Sequence, residues 1–330
     1  MAPFQKQYGI VTLLMAGALL LAIIAAGCTG GGAPQTTPVT TVAPSPETTI
    51  PATTPPVQPT VAMTPSPTVS PAPSGTYAVQ QIPGKLRVTG STTVLPIAQM
   101  EADAYMEKNL RADIQVSGGG SSVGVQAIGE GTADIGMSSR EISDTEKAKY
   151  PGLVPTDIAT DAVVLIVHPS NPVTALTLDQ VRGLYNGTFQ GWNSVGGTLT
   201  FPVIIGRDSA SGTRVYFSEA VMKNEKYRPD MREMNSNGAV AQAVAQTPAA
   251  IGYVGLGFID STVKALEISS NGQPVAPTIP TVLAHQYPIS RPLYMITNGQ
   301  PTGLAKDYIE FIISPDGQKI VQDQGFVPLS

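Results

Sequence analysis

From Lys85 onward, short runs of aliphatic and β-branched residues alternate with amphipathic stretches of helical period, and few architectures fit that alternation. Lys85-Leu86-Arg87-Val88-Thr89 reads as a strand and Thr93 to Lys108 as a helix. Asp113 to Val116 then reads as a strand, Val123 to Gly129 as a short helix and Ala133 to Met137 as another strand. Such alternation predicts α/β layering with a largely parallel sheet. Val163-Val164-Leu165-Ile166-Val167 is apolar at every position, which predicts a strand buried on both faces. Leu293-Tyr294-Met295-Ile296-Thr297 predicts a second such strand near the C-terminus. There is no solenoid-type repeat.

The chain ahead of this pattern cannot pack in the same way. Residues 1–27 carry Lys6 as their only charge, followed by an apolar run from Ile10 to Ala26 and the small residues Ala25-Ala26-Gly27. This reads as a removable export signal, although a run of that length could also span a bilayer uncleaved. Either reading places the remainder outside the cytoplasm. Cys28 is the only cysteine, so no intrachain disulfide can form. Its setting, after small residues and before a Gly/Thr-rich stretch, fits a lipidated N-terminus, with an incidental thiol as the plainer alternative. From Thr29 to Ile82 the sequence is dominated by Pro, Thr, Ser, Ala and Val, with Glu47 its only charge and no apolar period. Residues 28–83 are therefore expected to form a lipidated cysteine and a disordered tether, and residues 84–330 the folded body.

Within that body, three strand–turn–helix junctions share one composition. They are Gly90-Ser91-Thr92-Thr93, the segment Ser117 to Ser122, and Arg207 to Thr213 ahead of a helix near Arg214 to Met222. Each sets hydroxyls and free amides at an electropositive helix N-terminus, where an oxyanion is a natural guest. Ordinary capping explains any one of them. Three together, with Arg207 adding a fork of charged donors, point to an anion site. A fourth segment, Gly136-Met137-Ser138-Ser139-Arg140, reads equally as a cap with a solvent-facing arginine or as part of that site.

Charge and motif content exclude other classes. A net charge of −5 argues against nucleic acid as a partner. His168 and His285 are far apart and lie in no metal-ligand spacing, so neither a metal nor a cofactor is expected. Ser211 lacks the flanking glycines of a nucleophile elbow, and no enzymatic activity is expected. Trp192 is expected to pack rather than to stack on a ligand.

The order Gly90-Ser91-Thr92-Thr93-Val94-Leu95-Pro96, Ser121-Ser122, Gly136-Met137-Ser138-Ser139-Arg140 and Arg207-Asp208-Ser209-Ala210-Ser211-Gly212-Thr213-Arg214 resembles the phosphate-binding proteins of Pst-type ABC importers. The likeness runs from about Leu86 to Pro328. It implies a two-lobed type II periplasmic-binding-protein fold with the ligand cleft between lobes joined by two crossover strands, Val163 to Val167 and the segment around Leu293 to Thr297. Lobe one would comprise 84–163 and 290–330, and lobe two 164–289. The implied ligand is inorganic phosphate, and the implied partners are ABC permease subunits with a cytoplasmic ATPase. A monomer is expected, held at the outer face of the cytoplasmic membrane through Cys28. Another oxyanion such as sulfate or molybdate, or a tethered sensor without a transport role, are the alternatives.

Carried over by residue, Thr92 and Thr93 would donate to the anion with Ser91 beside them, and Ser121 with Ser122 would add hydroxyls. Ser139 or Arg140 would line the opposite wall. Arg207 would supply the charged fork, and Ser211, Gly212 and Thr213 would cap the anion. Two positions depart from the family pattern. Ser139 stands where an aspartate accepts the ligand proton, and Ser209 where another aspartate pairs with the binding arginine. A different acceptor is then implied, with Asp161, Asp208 or a backbone carbonyl as the candidates, and selectivity for phosphate over sulfate is correspondingly open.

Overall fold

The computed structural model of the protein describes residues 76–198, 201–270 and 272–329. The export signal, Cys28 and nearly all of the expected tether lie outside these residues.

The first half of the folded body contains β1 (Gly84–Gly90), α1 (Leu95–Lys108), β2 (Ala112–Gly118), α2 (Ser121–Gly129), β3 (Ile135–Ser138), α3 (Asp144–Lys149) and the long β4 (Leu153–Val167). There follow β5 (Ala175–Thr177), α4 (Leu178–Asn186), β6 (Val203–Arg207), α5 (Gly212–Ala220), β7 (Arg232–Met234), α6 (Asn237–Ala245) and β8 (Ala250–Gly255). The C-terminal part adds β9 (Lys264–Ala265), β10 (Glu267–Ser270), β11 (Gln273–Val275), α7 (Ile279–Leu283), β12 (Ser290–Asn298), α8 (Gly303–Ile313) and α9 (Pro315–Asp323).

The main sheet runs β2-β1-β3-β12-β4-β8-β6-β7. Its two flanks are parallel, β1 with β2 and β3, and β6 with β7 and β8, as the strand–helix alternation predicts. The centre is antiparallel, because β4 pairs with β12 over one part of its length and with β8 over the other. A small sheet, β11-β10-β5, stands apart.

Two lobes arise because this sheet carries two large, separate cores, with a smaller cluster of Val125, Ile128, Ala133, Ile142, Tyr294 and Ile296 beside the first-lobe strands β3 and β12. Leu86, Val88, Ile97, Tyr105, Ile158, Ala159, Leu293 and Met295 pack in one; Ala162 to Val167, Leu184, Phe217, Tyr253 and Ile289 pack in the other. Among the described residues the chain therefore crosses between Ala159 and Ala162 in β4, between Ile289 and Leu293 at the start of β12, and again between Phe326 and Val327, which pairs with Thr160. The first crossing falls just before the expected boundary at 163, since Val163 already belongs to the second core. The apolar runs Val163–Val167 and Leu293–Thr297 lie to either side of the crossings rather than on them.

The folded body also begins earlier than the composition implies. Tyr77, Val79 and Ile82 pack on the first lobe. The Tyr77 hydroxyl donates to Asp307 Oδ1 (2.8 Å), and the Gln80 amide donates to Asp307 Oδ2 (3.1 Å). The expected end of the tether at 83 is thus too late, because a buried carboxylate on α8 supplies acceptors that local composition does not reveal.

One core residue has an electrostatic consequence. Glu101 lies on the buried face of α1 with Ile97, Ala98, Ala102 and Tyr105, and both its carboxylate oxygens are sealed from solvent without a hydrogen-bond partner. Desolvation raises its pKa from 4.5 to about 9, so the folded protein holds it protonated at neutral pH. The unfolded chain releases that proton near the ordinary value. Stability should consequently fall as pH rises from 5 to 9, by up to about 1.4 kcal/mol per pH unit from this group. Denaturant melts across that range should show a flatter pH profile for Glu101→Gln than for the wild type.

Candidate functional site

Close backbone packing sets the geometry of the first lobe's half of the site. A Cβ on Gly90 would lie 2.4 Å from the Met137 carbonyl oxygen and 2.9 Å from Gly124 Cα, so only glycine lets β1, α2 and β3 approach this closely. The approach brings the turn after β1, the N-terminus of α2 and the end of β3 together. Ser121 Oγ accepts from the Ser139 amide (3.1 Å) and lies 3.3 Å from Ser139 Oγ. Ser91 Oγ accepts from the amides of Thr93 (3.2 Å) and Val94 (3.4 Å), a capping role that holds the turn.

The second lobe supplies the charge. Arg207 ends β6 and is 1% exposed. Its backbone amide donates to the Tyr253 hydroxyl (3.2 Å), and the Tyr253 ring stacks on Phe217 at 4.1 Å between centroids. Its Nε donates to the Met234 carbonyl (3.1 Å), and Nη2 donates to the Asn235 carbonyl (3.2 Å) and to Thr92 Oγ1 (3.1 Å). Nη1 is buried without any partner. Among the described residues no carboxylate lies within ion-pair distance of this guanidinium. Burial pulls its pKa below the usual value, opposed by the more distant Asp208.

Four helix N-termini meet around these groups. Thr92 and Thr93 precede α1, Ser121 opens α2, Gly212 and Thr213 open α5, and Asn237 opens α6. Asn237 Nδ2 donates to Thr93 Oγ1 (3.0 Å) and Thr92 Oγ1 (3.3 Å), while Thr93 Oγ1 lies 3.1 Å from Thr213 Oγ1. Ser211 Oγ accepts from the Arg214 amide (3.2 Å) and so caps α5. The lobes touch across this cluster: the Ser122 amide donates to the Ala210 carbonyl (3.2 Å). The arrangement is a closed cleft lined by hydroxyls, helix-end amides and guanidinium.

Of the residues anticipated from the sequence, Thr92, Thr93, Ser121, Ser139, Arg207, Gly212 and Thr213 come together. Ser91, Ser122 and Ser211 border them, their hydroxyl oxygens accepting from neighbouring groups. Arg140 does not present its fork to the cluster. It makes 2.7 Å bonds to both oxygens of Glu146, which also closes the capping box of α3, and reaches Ser122 Oγ at 3.1 Å. Asp208 Oδ1 accepts from the Ala210 amide (3.0 Å) and shapes the turn. Asp161 is fully buried: Oδ1 accepts from the Leu256 amide (2.9 Å), and Oδ2 from Arg291 Nε (3.2 Å) and Nη2 (2.9 Å). Desolvation raises its pKa, opposed by Arg291 and the Leu256 and Ala162 amides.

Two residues escaped the sequence reading. Asn237 had a usable signal, since Ser236-Asn237-Gly238 repeats the small polar junction ahead of a helix. Arg291 had a weaker one, a lone charge leading into an otherwise apolar strand. Its Nη2 donates to Thr213 Oγ1 (2.9 Å) and Thr93 Oγ1 (3.3 Å), joining hydroxyls from both lobes. Among the described residues no cluster of metal-ligating side chains occurs.

Comparison with known proteins agrees with this geometry. Residues 66–316 match the PBP superfamily domain. The chain is 32% identical to the phosphate-binding protein PstS of Bacillus subtilis, covering 75% of this chain and 81% of that protein. It is likewise 32% identical to PstS of Pseudomonas aeruginosa PAO1, covering 75% and 84%. Among solved structures it is similar to a Clostridium perfringens protein with bound phosphate, assigned as a phosphate ABC transporter substrate-binding protein. That similarity has a TM-score of 0.71 and 32% identity, over 75% of this chain and all of that one (100%). An ABC-type phosphate transport receptor from Vibrio cholerae gives a TM-score of 0.62 and 28% identity, over 74% and 100%. The fold is that of type II periplasmic binding proteins.

The closed cleft makes a specific demand on Gly212. A Cβ there would sit 2.1 Å from Ser121 Oγ and 2.8 Å from Ser121 Cβ, so the lobes could not meet. Alanine suits the first turn of a helix, and Gly212→Ala should fold normally. At saturating oxyanion its radius of gyration, measured by small-angle scattering, should stay above that of the wild type.

Proposed function

The chain belongs to the PBP superfamily, and we propose that it captures inorganic phosphate outside the cytoplasm and delivers it to the permease of an ABC importer. The observation that carries this reading is Arg207, a guanidinium buried to 1% without a carboxylate partner and with Nη1 unbonded. An uncompensated buried charge costs several kcal/mol, and an anion at this position removes that cost. The four helix N-termini add partial positive charge and free amides at the same place. The hydroxyls of Thr92, Thr93, Ser121, Ser139 and Thr213 both donate and accept, which suits a tetrahedral anion bearing a proton.

Capture on this reading couples to closure. Ser121 and Ser139 belong to one lobe, Arg207 and Thr213 to the other, so an anion held by both sets favours the closed arrangement. Closure removes water from the charged contacts and strengthens them. The permease then meets a closed, loaded protein, and the cytoplasmic ATPase drives release. The chain is read as a monomer and as a binding protein without catalytic chemistry. Lipidation at Cys28, with the Pro/Thr-rich stretch as a tether, would keep the body near the permease while leaving it free to reorient.

Arg207→Ala should weaken phosphate binding by about 2–5 kcal/mol, the range for truncating one partner of a buried charged contact. Isothermal titration of wild type and variant with phosphate, sulfate and molybdate measures both the loss and the anion preference. Wild-type affinity for sulfate or molybdate exceeding that for phosphate would reject the phosphate assignment. Cys28→Ser should move the exported protein from the washed membrane fraction to the soluble one, whereas persistence in the membrane would favour an uncleaved span.

A further inference from the structure

Arg291 is almost as deeply buried as Arg207, at 2% exposure, yet its hydrogen bonds are distributed unevenly. It faces Asp161 in the antiparallel register of β12 and β4, at the point where both strands cross between the lobes. Nε and Nη2 both donate to one carboxylate oxygen, Asp161 Oδ2. Nη2 also donates to Thr93 Oγ1 and Thr213 Oγ1, which line the cleft from opposite lobes. Nη1 has no partner and no solvent contact. Arg228 leaves its Nη1 unbonded too, but its fork is held by an exposed carboxylate, Asp230, whereas the Nη2 of Arg291 reaches hydroxyls of both lobes.

A surface cleft of about 430 Å³ runs past Arg291 between Arg140, Lys147 and Tyr216. Nη1 is inaccessible to solvent, so it does not point into that open cleft. Its sister nitrogen Nη2 reaches the hydroxyl cluster at Thr93 and Thr213, as Arg207 Nη2 does at Thr92, and both guanidinium groups leave Nη1 unbonded. The two guanidinium groups are linked through shared acceptors: Arg207 bonds Thr92, Asn237 bonds both Thr92 and Thr93, and Arg291 bonds Thr93. Asp161 balances one of the two positive charges, which leaves the cleft one positive charge in excess.

Building on the phosphate reading, we infer that Arg291 is a second charged ligand of the bound anion, donating through Nη1 beside Arg207. Asp161 is then the group that aims this arginine, since its Oδ2 accepts from both Nε and Nη2 while its Oδ1 is held by the Leu256 amide. The recognition of the anion thereby extends from the lobe faces to the crossover strands themselves.

The test is titration of the full chain with inorganic phosphate in three forms: wild type, Arg291→Lys and Arg291→Gln/Asp161→Asn. Arg291→Lys keeps a charge beside Asp161 but lacks the second donor arm, and should weaken binding about tenfold. The double variant exchanges the ion pair for a neutral hydrogen-bonding pair, which rescues a purely structural role. It also retains the cleft's net charge. On the present inference it should nevertheless lose about 100-fold or more in affinity. If either variant, with a melting temperature near that of the wild type, binds phosphate within threefold of it, Arg291 is not a ligand. That result leaves the phosphate reading standing, whereas a wild type that binds no phosphate overturns both.

Discussion

A guanidinium sealed from water without a counter-ion is the constraint around which this cleft is organised. Arg207 cannot lower its own cost by moving, because its amide is held by Tyr253, its Nε by the Met234 carbonyl, and one arm by Asn235 and Thr92. Tyr253 in turn is clamped by stacking on Phe217 in the second core. The lobe's packing energy is thereby used to keep a charge where water cannot reach it. Stability alone would not favour this arrangement, since an apolar side chain of similar size would cost less. A site that exchanges solvent for an anion does favour it, because the donors are already oriented and little reorganisation accompanies binding.

The sheet explains how two halves of one site can separate and meet again. Each lobe has its own core, and among the described residues β4, the start of β12 and Phe326–Val327 pass between them. The hydroxyls and helix ends lie at the sheet's carboxyl edges on each side, the position at which α/β sheets generally present ligands. Gly212 and the Gly90–Gly124 contact set how closely these edges approach. Closure is thus specified by missing side chains as much as by contacts made.

What the sequence revealed and what it concealed follow from the range of the interactions. The strand–turn–helix junctions are local, so Thr92, Thr93, Ser121, Gly212 and Thr213 could be recognised from composition and spacing, and Arg207 from its place within one junction. Arg140 lies in a junction that reads equally as a helix cap or as part of the site, and the family resemblance offers it, with Ser139 as the other choice, as a wall of the cleft. Its actual partner, Glu146, follows six residues later and belongs to a capping box that also stood in the sequence. Tyr77 was assigned to the tether because Asp307, which fixes it, is 230 residues away. Arg291 and Asp161 are separated by 130 residues, and only the register of β4 against β12 makes them neighbours. Residues placed by long-range register carry almost no local signature, and that class holds the remaining charged groups of the site.

If, as the family resemblance implies, Ser139 stands where relatives carry a carboxylate, the cleft discriminates in a different way. A buried carboxylate demands a proton from its guest and repels a fully ionised anion. A serine hydroxyl rotates to donate or accept, and Thr93 and Thr213 share that freedom through their own 3.1 Å contact. Asp161 is committed first to Arg291 and the Leu256 amide. Selection in this cleft then draws on geometry and charge as well: the close approach of Gly212 to Ser121, and the charges of Arg207 and Arg291. Such a site binds by attraction more than by exclusion. Its preference among oxyanions rests on how well each satisfies the adaptable hydroxyls.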